Sequence, residues 1–276
     1  MNIAIVTGAS SGIGEAYVKE LMREGGVWSD ISLDEIWVIA RREDKLLKLR
    51  EELGEKIIPL VIDLGDAESV NKLSAKLEVV KPHIELLINC AGMGKRGVVA
   101  DKPVKDLTDT IDINCTCLTR ISRMCIPYLA KTSTSATSSG KWAGRIINIA
   151  SSAAFLPQPG FATYAASKSY VTNFSRALAY EVKQHGIAVT TVCPGPVKTE
   201  FLSKATNGKE SDFSGIRALC VADPYKLAVA SLKASKRGRK MLVYGFMQKL
   251  LHIASKIVPT DWILGIEMLT MNQTKG

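Results

Sequence analysis

At 276 residues and 46% hydrophobic content, the chain suits one large α/β domain or two small ones and is too apolar to be disordered. No run reaches the ~18 uncharged apolar residues of a spanning helix, so none is expected. The net charge of +9 leaves nucleic acid, membrane surfaces and anionic small molecules open as partners.

Residues 2–6 form a short apolar run and read as a strand. No basic region or cleavage site precedes them, so no signal peptide is expected. Gly8, Ser10, Ser11, Gly12, Ile13 and Gly14 follow, and residues 15–23 have helical character. Glycines at 8, 12 and 14 omit side chains where a diphosphate must approach the backbone. The helix start then offers free N–H groups to phosphates. The spacing is G-x-x-x-G-x-G rather than G-x-G-x-x-G, with the same physical logic.

Residues 35–40 are the second strand, and Arg41 and Arg42 follow at once. In a dinucleotide fold this position meets the adenosine ribose. An acidic residue would hold a free 2′-hydroxyl, whereas arginine pairs with a 2′-phosphate, so NADP(H) is favoured over NAD(H). Ser10 is placed to add a hydrogen bond.

Residues 56–62 are a third strand, ending in Asp63 and Leu64; residues 84–89 are a fourth, running into Asn89, Cys90, Ala91 and Gly92. Helical periods at 43–53 and 67–80 lie beside them. This alternation argues a parallel sheet covered on both faces. Strand carboxyl ends line the ligand crevice, which places Asp63, Asn89 and Gly92 there.

A long helical pattern covers 104–130 and contains Asn114, which on spacing alone reads as a satisfied buried amide. Residues 131–144 are rich in Ser, Thr and Gly and read as a mobile loop. Like the insertion at 25–33, that loop falls at the amino ends of the strands and is expected to be irrelevant to chemistry.

The apolar run 145–150 reads as a buried strand, and Ser151 leaves its end. After Pro157 and Pro159 a helical pattern sets in and continues to about residue 183. Tyr164 and Lys168 are four apart and share one face of that helix. An ammonium beside a phenol is expected to lower its pKa from about 10 and let it exchange a proton near neutral pH. By itself Tyr-x-x-x-Lys is a weak signal, since an exposed helix face with a snorkelling lysine has the same spacing.

Residues 186–192 are a sixth strand, closed by the rigid turn holding Pro194, Gly195, Val197 and Thr199. Residues 200–222 have weak periodicity and suggest a lid. Residues 240–245 are a final strand. The six cysteines Cys90, Cys115, Cys117, Cys125, Cys193 and Cys220 contain no CxxC pair, and the three histidines are scattered. No metal site is expected; buried thiols in a reducing cytoplasm are.

From 246 to 258 the pattern turns amphipathic: Phe246, Leu250, Ile253, Ala254 and Ile257 share a face, and Lys249 and Lys256 fall elsewhere. A second apolar piece, 262–271, follows. No acidic residue lies between Asp223 and Asp261, so the positive surplus concentrates here. This tail, 246–276, follows a single domain at 1–245. Packing on the body of that domain or on a second subunit is the preferred reading of its apolar face. Contact with an anionic membrane surface stays open. Nucleic-acid binding is not expected, because interleaved aromatics and a binding motif are missing.

Together, Thr7-Gly8…Gly12…Gly14, Asp63, Asn89-Cys90-Ala91-Gly92, Asn114, Ser151, Tyr164, Lys168 and Pro194-Gly195…Thr199 resemble the short-chain dehydrogenase/reductase family in its single-domain form, over about residues 1–200. The resemblance implies a doubly wound Rossmann fold, a seven-stranded parallel sheet of order 3-2-1-4-5-6-7. It implies Tyr164 as general acid or base, Lys168 as the residue that holds the nicotinamide ribose and lowers the tyrosine pKa, and Ser151 as the group that orients the substrate oxygen. It implies Asn114 as the holder of a water in a proton relay, Asp63 at the adenine, Asn89 at the adenosine-side ribose, and Thr199 at the carboxamide. Cys90 departs from the family, which often has a second asparagine there.

The activity so implied is hydride transfer between NADP(H) and a secondary alcohol or ketone. Apolar residues Met93, Ala153, Phe155, Pro194 and Phe201 at the pocket mouth point to a lipophilic substrate such as a hydroxysteroid or bile acid. Other carbonyls (aldehydes, diketones, 3-oxoacyl compounds) and a non-catalytic NADPH sensor are the alternatives. Sugar-nucleotide epimerases need a larger C-terminal domain, and enoyl reductases of this fold a longer Tyr-to-Lys interval. The resemblance also implies a homodimer or homotetramer.

Overall fold

The computed structural model describes residues 1–130, 142–205, 221–262 and 264. Seven strands form one parallel sheet: β1 (Asn2–Thr7), β2 (Glu35–Ala40), β3 (Ile57–Val61), β4 (His83–Asn89), β5 (Gly144–Ile149), β6 (Ile187–Pro194) and β7 (Met241–Tyr244), ordered β3-β2-β1-β4-β5-β6-β7. The central strands are continuous apolar runs because both faces are covered. Their alternation divides the core. Ala4, Val6, Ile36, Val38, Leu86 and Ile88 face one layer, and Ile3, Ile5, Trp37, Ile39 and Leu87 face the other.

The first layer is made by α1 (Gly12–Met22), α2 (Glu43–Leu53) and α8 (Pro224–Lys236), through Tyr17, Val18, Leu46, Leu49, Leu227 and Leu232. The second is made by α3 (Ala67–Val80), α5 (Leu118–Leu129) and α6 (Ala162–Glu181), through Val70, Leu73, Leu77, Ile121, Cys125 and Leu178. α4 (Val104–Ile111) precedes α5, α7 (Glu200–Ala205) follows β6, and α9 (Phe246–Ile257) follows β7. This is a doubly wound Rossmann fold. Its strand order reverses between β1 and β4, which opens a crevice at their carboxyl ends.

Two local features depart from the sequence reading, and a third adds to it. The long helix over 104–130 is interrupted by a π-helical turn, Asp112–Cys117, centred on Asn114; such turns recur at functional sites. α1 begins at Gly12, three residues earlier than its side-chain pattern suggests. The insertion at 25–33 contributes to the core: Trp28, Ile31 and Leu33 are buried, and the guanidinium of Arg145 and the ammonium of Lys236 lie over the Trp28 ring at 5.4 and 5.8 Å. Residues 131–141 of the Ser/Thr-rich loop, 206–220 of the expected lid (with Cys220), and 263 and 265–276 of the tail lie outside the described residues. The first part of the lid is helical, as α7.

Candidate active site

The crevice is assembled first by Thr7, at the end of β1. Its hydroxyl donates to the Ile88 carbonyl (3.4 Å) and accepts from the amides of Cys90 and Ala91 (3.0 and 3.1 Å), which ties the end of β1 to the segment leaving β4. Gly8, at φ +69°, turns the chain here, and a Cβ on it would lie 2.9 Å from the Ala91 backbone. Gly14 packs its bare Cα against the Gly8 carbonyl, while Gly12 lies under the Thr199 side chain. Ser11 is the N-cap of α1 and makes no side-chain capping bond, which leaves the first amides of the helix uncapped by it. Ser10 and Ile13 are half-buried in the same turn.

Arg42, not Arg41, comes to this turn. Its guanidinium donates to Ser11 Oγ (2.8 Å) and Ser10 Oγ (3.1 Å), and also pairs with Glu200 Oε2 (2.8 Å), whereas Arg41 is exposed. Uncapped amides, bare glycines and an adjacent guanidinium are the donor set that a phosphorylated dinucleotide requires.

At β3 the Asp63 carboxylate is exposed and accepts from the Gly65 amide (3.0 Å), while Leu64 packs into the second core layer. Asn89 is a correction. Its side chain is 3% exposed and donates to Asn148 Oδ1 (2.8 Å) and Ser122 Oγ (3.1 Å) between sheet and helix, so it is a buried structural amide and does not reach toward a ribose. Gly92 is exposed in the crevice and Ala91 is half-buried beside it. Beyond β6, Pro194 is paired to Tyr244, Gly195 lies against the Gln248 side chain, Val197 bridges to Ala222, and the Thr199 hydroxyl donates to the Val197 carbonyl (3.3 Å).

The reactive groups meet where β5, α5 and α6 converge. Ser151 leaves β5 with its hydroxyl accepting from the Ala153 amide (3.1 Å). Lys168 is 5% exposed, and its ammonium donates to the Ile149 carbonyl (2.9 Å). Tyr164 is half-buried, its ring stacked on Phe161 (centroids 4.3 Å apart) and tilted against Phe201 (5.5 Å). Burial pushes the phenol up to about 12, with the Ser151 hydroxyl beside it pulling the other way. Burial pulls the Lys168 ammonium down to about 8, against the nearby Cys90, Cys115 and Cys193 sulfurs. The expected lowering of the tyrosine by the lysine is therefore overturned. The Lys168 Nζ stands 5.7 Å from the Tyr164 ring centre, bound to a backbone carbonyl, and desolvation wins.

Asn114 is fully buried. Its amide donates to the Met93 carbonyl (2.8 Å) and Ser167 Oγ (2.9 Å), and its Oδ1 accepts from the Met93 amide (2.9 Å). Both amide hydrogens are thus committed to protein. The side chain pins the segment after β4 to α6. Ser167 Oγ in turn donates to the Tyr164 carbonyl (2.7 Å), so Asn114 is two hydrogen bonds from the backbone of Tyr164.

Residues 2–210 match the sequence family of the short chain dehydrogenases. The chain belongs to that family. It is 30% identical over 230 residues to a 3-oxoacyl-(acyl-carrier-protein) reductase of Vibrio harveyi, covering 83% of this chain and 87% of the relative. It is 29% identical over 284 residues to a very-long-chain 3-oxoacyl-CoA reductase of Anas platyrhynchos, covering 99% of this chain and 81% of the relative. A short-chain dehydrogenase of Sphingobium yanoikuyae, solved in complex with NADPH, superimposes with a TM-score of 0.73 at 26% identity, covering 99% of this chain and 96% of that one. This short-chain dehydrogenase is accordingly an oxidoreductase.

Sequence reasoning missed Gly94, Phe161 and Glu200. A Cβ on Gly94 would lie 2.5 Å from the Tyr164 ring and 3.0 Å from Phe161, so only glycine lets that segment pass across the phenol. The run Gly92-Met93-Gly94 carried the signal. Nothing in the sequence paired Glu200 with Arg42, which is 158 residues away.

Proposed function

We propose that this enzyme reduces the carbonyl of a lipophilic ketone with NADPH, and oxidises the corresponding secondary alcohol in reverse. The observation that carries the reading is the position of the Tyr164 phenol, beside Ser151 and between the apolar rings of Phe161 and Phe201, where burial raises its pKa. A phenol so held is protonated throughout the neutral range and has its proton to give. When bound, the reduced nicotinamide supplies the hydride. Ser151 orients the substrate oxygen, Tyr164 gives it a proton, and Lys168, positively charged below about 8, holds the nicotinamide ribose. The rings exclude water and favour an apolar substrate.

Arg42, anchored on Ser10 and Ser11 beside the glycine turn, supports NADP(H) over NAD(H), since a guanidinium can pair with a 2′-phosphate. A hydroxysteroid or bile acid is one substrate class the apolar mouth suits. A 3-oxoacyl thioester is a second reading, favoured by the very-long-chain 3-oxoacyl-CoA reductase that aligns over 99% of this chain.

The test follows absorbance at the reduced-nicotinamide band with NADPH or NADH against steroid ketones, bile-acid ketones, aliphatic aldehydes, diketones and 3-oxoacyl thioesters. Turnover with NADPH on a lipophilic ketone is expected. Arg42→Ala is expected to weaken NADPH use by roughly 10–100-fold, the value of a charge-assisted hydrogen-bond pair, and to leave NADH use little changed. Equal use of both cofactors by the wild type would remove the Arg42 argument. Cofactor binding without turnover on any carbonyl would favour a sensor.

A further inference from the structure

α9 is buried the wrong way round. At 100° per residue, Phe246, Leu250, Ile253 and Ile257 fall within one narrow stripe, with Met247 at its edge. These residues are 75%, 45%, 55%, 75% and 51% exposed. The opposite side, which faces the protein, carries Gln248, Leu251, His252 and Ser255, all buried or half-buried. Gln248 is buried against Gly195 and Gly245, where neither glycine has a side chain to exclude it, and the His252 ring packs on Phe155 at a centroid distance of 4.4 Å. Among the described residues the apolar stripe is thus left exposed and does not dock on the enzyme body. Trp262, just beyond the helix, is 72% exposed as well.

We propose that this face of α9 lies on an anionic phospholipid bilayer, as a surface helix that does not cross it. Charge selects the occupant. Lys249 and Lys256 are exposed and stand side by side along one edge of the apolar stripe, seven residues or two turns apart. The helix has no acidic residue, and none lies between Asp223 and Asp261. An apolar stripe edged by lysines fits lipid tails beneath phosphate headgroups. A two-fold contact between copies of the chain would instead bring two such lysine-edged faces together with no acid on either helix to pair with them, in a protein of net charge +9. Among the described residues no helix is long and apolar enough to cross a membrane, so the association is of the surface kind. The proposal rests on α9 alone and does not depend on the reading of the active site.

The test is flotation of the full chain with phosphatidylcholine vesicles, plain or with about 30% phosphatidylglycerol, with light scattering of the lipid-free protein alongside. The expected result is co-flotation with the anionic vesicles only, weakening as salt is raised. Ile253→Asp is expected to reduce the binding roughly 10–100-fold, and Lys249→Gln and Lys256→Gln about fivefold each. Circular dichroism and cofactor binding check that each variant is folded. Equal flotation with neutral vesicles would overturn the proposal, as would indifference to both kinds of variant. A lipid-free dimer that Ile253→Asp dissociates, with no flotation, would overturn it in favour of an interface between copies.

Discussion

In the crevice, Asn114, Ser151 and Lys168 are polar and only 0%, 9% and 5% exposed; on α9, Phe246 and Ile257 are apolar and each 75% exposed. Both regions break the ordinary rule of burial, in opposite directions, and the difference lies in what each group has for a partner. The Asn114 amide meets Met93 and Ser167, and Lys168 meets the Ile149 carbonyl, so the cost of burying them is largely offset inside the chain. The apolar stripe of α9 packs on none of the hydrophobic core clusters among the described residues. A buried polar group that is satisfied holds a site rigid; an exposed apolar face that is not satisfied points to something outside the chain.

The comparison can be broken most severely at Asn114. Asn114→Leu removes a buried amide and strands the Met93 amide and carbonyl, so unfolding free energy is expected to fall by roughly 2–4 kcal/mol, measured by urea denaturation. A loss under about 0.5 kcal/mol would show that the network is not what holds the crevice. Gly94→Ala is a finer probe. Its methyl group would press on the Tyr164 ring, and kcat is expected to drop about tenfold, with NADPH affinity nearly unchanged. The smallest effect belongs to α9. Ile253→Asp is expected to leave stability within about 0.5 kcal/mol, because the side chain is already 55% exposed. A larger loss would mean that the stripe is covered after all.

Much of this was legible in the sequence, because its causes are local. Continuous apolar runs mark strands covered on both faces, and the glycine turn after the first strand and the four-residue interval from Tyr164 to Lys168 are covalent spacings. What was not legible depends on depth and on distant partners. Spacing brings Lys168 to the Tyr164 face of the helix, yet the Ile149 carbonyl takes its ammonium and burial decides the phenol. Arg41 and Arg42 are equivalent on paper, and Ser10 and Ser11 choose between them. Asn89 reads as a crevice residue from its place at a strand end, but Asn148 and Ser122 draw its amide inward. Periodicity identifies the apolar face of α9 but not its direction, which is set by the room that Gly195 and Gly245 leave for Gln248.

The measurement that tests the central claim most directly is carbonyl reduction by Tyr164→Phe, with NADPH binding followed on the same sample by fluorescence. The substitution keeps the ring that stacks on Phe161 and removes only the hydroxyl. If Tyr164 donates the proton, turnover falls by roughly 10²–10⁴-fold while NADPH affinity stays within about twofold. Turnover at the wild-type rate with the cofactor bound would contradict the account, and the proton would have to come from another group.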